Sequence, residues 1–291
     1  MGEERKRYGL LDGDPAITRL QLQHRIWQRT LPDRITLAPI PASEAGKVRD
    51  VIDLGCGTGA WALEFAAAYP SVHVRGVDLK PLQPTSHPSN VEFLVDDITY
   101  DSAWASPSAA AQQYDLIHSR SMSSGIKSWP ALISKCWEHL RPGGWLEFQE
   151  FHLPMRCDDD SMAGTAFERW NQLLVEASGK VGVKLDGGFA EVPRLLQGAG
   201  FAGMGRKALK WPVGPWPKDD RMKEVGRMFR ADLSVVLEGV SIGLFTKALG
   251  WEPEAVRELW KEVEGEMAMA KMHAYVSIDI VWAQKPDGAV G

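Results

Sequence analysis

Seven residues, Asp53-Leu54-Gly55-Cys56-Gly57-Thr58-Gly59, stand directly behind the apolar pair Val51-Ile52. A strand that feeds a glycine turn and then a helix brings bare backbone N–H groups against a ligand at the helix N-terminus. Gly55-x-Gly57-x-x-Ala60 fits the dinucleotide pattern, and Asp78 follows where that pattern expects an acid for the ribose, so NAD is permitted. Two details point elsewhere. Asp53 precedes the first glycine, where a carboxylate at the strand end repels a pyrophosphate and holds an amino group. Gly59 opens the turn further. The ligand expected is an adenosine that carries an ammonium group and no phosphates, and S-adenosylmethionine has both features.

Other side chains with chemical potential follow later strands. Asp78 closes Gly76-Val77-Asp78-Leu79, where a carboxylate accepts from both ribose hydroxyls. Asp96-Asp97-Ile98 offers an acceptor for an adenine amino group beside an apolar side chain that can stack on the base. His118-Ser119-Arg120-Ser121 ends another strand, and ligands of open α/β sheets bind outside the carboxyl ends of the strands. Methyl transfer is an in-line displacement at a sulfonium, so much of its catalysis comes from positioning. A hydroxyl acceptor also benefits from a base, and His24, His118 and His152 are the histidines weighed for it. His24 lies on the apolar stripe of an N-terminal helix, His118 points either to the site or into the sheet, and His152 is expected just after the fifth strand. Glu150 either orients an acceptor or is structural. Trp27, Arg120 and Trp216 are expected at the substrate pocket, although most of the twelve tryptophans are expected in the core.

The elements that must position these residues show in the periodicity. Asp14-Pro15 starts a helix with Ile17, Leu20, His24, Trp27 and Leu31 on one face, and Pro32 ends it. Residues 38–47 read as a linker. Strands are expected at 49–54, 72–78, 91–95, 114–119 and 143–150, with helices at 59–69 and 129–140, the first burying Trp61, Phe65 and Ala68. The alternation implies a doubly wound, mainly parallel sheet. Further helices are expected over 160–182, 189–199, 219–236 and 253–271, and strands over 204–213 and 273–283, the last apolar on the face of Val276, Ile278, Ile280 and Trp282. The expected organisation is an N-terminal helical cap (1–48), a cofactor-binding core (49–155), a helical lid with part of the core (156–272), and a C-terminal strand and tail (273–291).

Composition bounds the rest. Of 291 residues, 24% are charged and 44% apolar, and the net charge of −5 gives no general surface for a polyanion, so no nucleic-acid partner is expected. The charged N-terminus shows no apolar h-region, so no signal peptide is expected, and no run of about 18 apolar residues suggests a membrane crossing. Three cysteines without paired spacing suggest neither a disulfide frame nor a metal site, and a reducing compartment, cytoplasm or nucleus, is expected.

The motifs Asp53 to Trp61, Gly76-Val77-Asp78-Leu79 and Arg141-Pro142-Gly143-Gly144-Trp145-Leu146-Glu147 resemble those of class I S-adenosylmethionine methyltransferases, a Rossmann-like α/β fold. His118 to Met122, Phe148-Gln149-Glu150, Gly214-Pro215-Trp216-Pro217-Lys218, Leu249-Gly250-Trp251 and His273-Ala274-Tyr275 resemble the LaeA-like fungal methyltransferases, from about Tyr8 to Pro286. The resemblance implies S-adenosylmethionine as methyl donor and a place in fungal secondary metabolism. It implies a small-molecule acceptor, or alternatively a regulatory protein or protein methyltransferase working in a complex or homo-oligomer. It also implies that Asp53, Leu54, Gly55, Cys56, Gly57, Thr58, Gly59, Asp78, Leu79, Asp96, Asp97, Ile98 and Ser119 contact the cofactor, and that the helix bearing His24 covers it.

Overall fold

A computed structural model describes residues 15–40, 48–105, 113–182, 184–185 and 188–288. The expected cap Asp14 and the linker residues 41–47 lie outside that set. The chain divides into two compact units, Asp33–Glu150 with Gly188–Lys207 and Asp279–Gly291, and Met1–Pro32 with Phe151–Gly187 and Ala208–Ile278.

The first unit holds the α/β core. Strands β1 (Asp50–Leu54), β2 (His73–Asp78), β3 (Val91–Val95), β4 (Tyr114–Arg120) and β5 (Leu140–Cys157) are joined by α-helix Ala60–Ala68 after β1 and α-helix Trp129–His139 before β5, with a short 3-10 turn, Asp101–Trp104, between β3 and β4. The pairs β1–β2, β1–β4, β2–β3 and β4–β5 are parallel. With the later strands β6 (Ala202–Pro212) and β7 (Ala274–Gln284), the sheet runs in the order β3-β2-β1-β4-β5-β7-β6. Apolar clusters pack against this sheet, one around Ile52, Ile117, Phe148, Trp104 and Trp129, the other around Val51, Val74, Phe65 and Trp61. Arg141, at the start of β5, donates to Asp50 and Asp115.

The second unit is built around four helices, Pro15–Thr30 (α1), Ala166–Lys180 (α4), Asp220–Leu249 (α6) and Pro253–Met269 (α7), where Ala60–Ala68 is α2, Trp129–His139 is α3 and Val192–Gly198 is α5. Trp211 packs edge-on against Trp27 and Phe229 and donates to Thr30. Trp170 donates to Ser241 and meets Trp260 edge-on. Buried Asp232 of α6 faces Arg19 of α1 at 3.6 Å, and burial raises its carboxyl to about 6.

Several expected details are corrected. The buried line of α1 is Leu22, Gln23, Ile26, Trp27 and Thr30, set by contact with Trp211, so His24 lies beside it, half-buried. Ala68 ends α2 exposed. The fifth strand does not stop at Glu150 but runs to Cys157, which puts His152 inside a strand. Strand β7 is buried on both faces, Tyr275, Asp279 and Val281 included, while Trp282 of the expected apolar face is only half-buried, so its alternation marks no solvent side.

Candidate cofactor site

Three glycines fold the turn after β1, each at positive φ: Gly55 at 68°, Gly57 at 56° and Gly59 at 75°. An L side chain in that region costs on the order of 1–2 kcal/mol. Space forbids one as well. A Cβ on Gly55 would stand 2.0 Å from Met122 Sδ, and one on Gly59 2.4 Å from the Phe93 ring. The amides of Gly55 and Cys56 both reach the carbonyl of Val77 at the end of β2, at 2.8 and 3.0 Å. Asp78 pins the turn from the other side, accepting from Gly57 N at 2.8 Å through one oxygen and from Lys80 N at 3.0 Å through the other. A carboxylate offers about four acceptor positions, so two remain. Gln83, which the sequence reading did not single out, donates to the Gly57 carbonyl at 2.6 Å.

Beside Asp78 the surface is apolar and open. Leu79 is 67% exposed and Val95 52% exposed, at the ends of adjacent strands. The next loop turns tightly: Asp96 accepts from Asp97 N, and Asp97 accepts from Thr99 N, which holds its carboxyl below the usual range. Ile98 is half-buried against the core. The Cys56 thiol is pushed far above the usual thiol range by burial and by the charges of Asp53 and Asp78, which makes it an unreactive filler of the turn.

The centre of the sheet carries a polar layer. The registers Asp53↔His118 and His118↔Glu147 align three side chains across β1, β4 and β5, with Arg120 and Gln149 two residues further on the same face. His118, wholly buried, holds Asp53 through Nδ1 at 2.7 Å and stacks on Trp61, ring centroids 3.7 Å apart and planes 2° apart. Glu147, also wholly buried, accepts from Thr36, from the amides of Leu37 and Ala38, and from Gln149. Gln149 in turn accepts from half-buried Arg120, whose guanidinium burial brings down to about 10. Glu150 accepts from the amides of Met122 and Ser123 and so fixes the turn after β4, where Ser121 sits at φ 57°.

Of the site residues expected from sequence, the structure brings Asp53, the glycine turn, Asp78, Leu79, Asp96, Asp97, Ile98, His118, Arg120 and Glu150 together in the α/β unit. Leu54 and Ser119 are 1% exposed inside their strands. His24, Trp27, His152 and Trp216 belong to the other unit. There Trp27 is 1% exposed in the aromatic core, and Trp216 is half-buried, donating to the Ala274 carbonyl beside the His273 ring. The sequence motifs contain Glu147 and Gln149, but no site role was expected for them or for Gln83. Glu147 and Gln149 were signalled by polar residues alternating at central-strand positions where apolar ones belong. Among the described residues, no three His, Cys, Asp or Glu side chains are placed to hold a metal ion, and no helix is long and apolar enough to cross a membrane.

A mainly parallel sheet with this strand order, a glycine turn after β1 and an acid closing β2 define a class I S-adenosylmethionine-dependent methyltransferase. The chain belongs to the methyltransferase-domain family, which matches residues 22–202. The methyltransferase pytC of Aspergillus terreus is 39% identical over 92% of this chain and 80% of its own length. The secondary metabolism regulator laeA of Aspergillus fumigatus is 34% identical over 92% of this chain and 70% of its own. The protein-methionine methyltransferase laeA of Emericella nidulans is 32% identical over 98% of this chain and 74% of its own. Among solved structures, phosphoethanolamine N-methyltransferase 2 of Haemonchus contortus, in complex with S-adenosylhomocysteine, superposes with a TM-score of 0.50 at 15% identity. It covers 94% of this chain, which spans 58% of that protein, and it bears on the fold alone.

Proposed function

We propose that the α/β unit binds S-adenosylmethionine over the turn Asp53–Gly59, and that the protein transfers its methyl group to a small molecule of fungal secondary metabolism. The observation that carries the cofactor placement is Asp78. One oxygen holds Gly57 N of the turn and the other Lys80 N, yet each keeps an acceptor position for a ribose hydroxyl. The exposed side chains of Leu79 and Val95, with Ile98, supply apolar walls for a base, and the remaining oxygens of Asp96 and Asp97 supply acceptors for its amino group. Asp53 is the carboxylate for the ammonium group. When bound, the cofactor supplies an activated methyl on a sulfonium, and the protein's part is to hold donor and acceptor in line.

His118 and Glu150 are committed to Asp53 and to the turn after β4. Rates with His24→Asn and His152→Asn therefore report whether either histidine takes a proton from the acceptor. Methyl transfer as the activity is supported by the likeness to the methyltransferase pytC. A protein acceptor, or a regulatory role within a complex, is a second reading supported by the likeness to laeA. Incubation with methyl-labelled S-adenosylmethionine and fungal extract separates the two. Label in the small-molecule fraction, with a mass gain of one CH2, supports the first reading, and label confined to protein supports the second.

A further inference from the structure

We infer that His118 is a positioning residue of the cofactor site, aiming the Asp53 carboxylate at the ammonium group of the bound donor; this rests on the cofactor reading above. Asp53 is 2% exposed, and among the described residues its carboxylate receives a single hydrogen bond, from His118 Nδ1 at 2.7 Å. A buried carboxylate with acceptor positions left over is costly unless another donor meets it. Asp53 directly precedes the glycine turn, and its charge acts on the Cys56 thiol within that turn. The Arg120 guanidinium also acts on Asp53 through its charge, and the carboxylate keeps an acceptor position that a second cation arriving over the turn can take.

The ring is held in place. Trp61 stacks flat on His118, and Trp61 is itself fixed by a bond from its Nε1 to the Ile35 carbonyl at 2.9 Å. Nδ1 faces a carboxylate and must carry a proton. Nε2 is enclosed and has no partner among the described residues. Nδ1 is therefore the nitrogen that donates, since a proton on Nε2 would bury an N–H with no acceptor among the described residues. The same enclosure removes His118 from contact with an acceptor, and it acts through Asp53.

Calorimetric titration compares S-adenosylhomocysteine, which carries the ammonium group, with 5′-methylthioadenosine, which keeps the nucleoside and lacks it. His118→Phe retains a ring for Trp61 and removes the donor. Its affinity for S-adenosylhomocysteine should fall on the order of 10- to 100-fold, while that for methylthioadenosine stays within about twofold. His118→Asn returns an N–H near the Nδ1 position and should recover most of the loss. Equal weakening of both ligands, or none, overturns the inference and leaves the cofactor reading standing. A wild-type chain that binds neither ligand overturns both. Should the variants fail to fold, nitrogen NMR of the wild-type imidazole decides: Nδ1 protonated and Nε2 bare is expected, and the opposite tautomer refutes the assignment.

Discussion

Replacing Asp78 with asparagine changes one atom and should cost the protein most of its cofactor affinity. In the wild type, one oxygen takes Gly57 N and the other Lys80 N. An asparagine has one oxygen, so whichever way its amide turns, an NH2 confronts one of those two N–H groups. It also withdraws charged acceptors from the ribose. Two charge-assisted hydrogen bonds at about 1.5 kcal/mol each amount to about 3 kcal/mol, or on the order of 100-fold in affinity. The assay is calorimetric titration with S-adenosylhomocysteine and with methylthioadenosine, with thermal denaturation as a check on folding. Both ligands carry the ribose and both should weaken together, unlike the split expected at His118. A folded Asp78→Asn protein that binds S-adenosylhomocysteine within about threefold of wild type would refute the reasoning, because it would mean that the acceptor positions counted here do not meet the ribose.

Three further outcomes follow from the packing. Gly59→Ala places a Cβ 2.4 Å from the Phe93 ring at φ 75°; the backbone term alone predicts a loss of about 1–2 kcal/mol in chemical denaturation, with weaker S-adenosylhomocysteine binding. Glu147→Ala strands the hydroxyl of Thr36, the amides of Leu37 and Ala38 and the amide of Gln149; at about 1–3 kcal/mol per orphaned group it should cost at least about 4 kcal/mol by the same assay, and Glu147→Gln less. Asp232 has a folded pKa of about 6, above its unfolded value, so it binds its proton more tightly when folded. Its contribution is complete below the unfolded pKa and is lost as pH rises through about 6. Asp232→Asn should therefore flatten the pH dependence of thermal stability and raise stability above pH 6, by at most about 3 kcal/mol; an unchanged profile would show that the carboxyl titrates normally.

The glycine turn, the acid at the end of β2 and the strand–helix alternation were legible because each is local: a β-run, a turn chemistry and a helix period lie within a few residues of one another. What the sequence hid were pairings across strands. Asp53 and His118 are 65 positions apart, and their bond exists because β1 lies beside β4 in a register that sets them side by side. A reader who aligned the carboxyl ends of neighbouring strands would have found the pair, since each residue lies within two positions of its strand's end. Strand β5 was cut short because its later half carries His152 and Pro154, polar and turn-prone types, although Phe151, Leu153 and Met155 keep the period of two. The buried line of α1 was misplaced because Trp211, far along the chain, selects which face turns inward.

The central claim is that the turn Asp53–Gly59 receives an adenosine bearing an ammonium group and not a dinucleotide. Titrating the full chain with S-adenosylhomocysteine and with NAD under identical conditions tests it most directly. Binding of S-adenosylhomocysteine with no heat from NAD is the predicted result, and NAD binding without S-adenosylhomocysteine would contradict it.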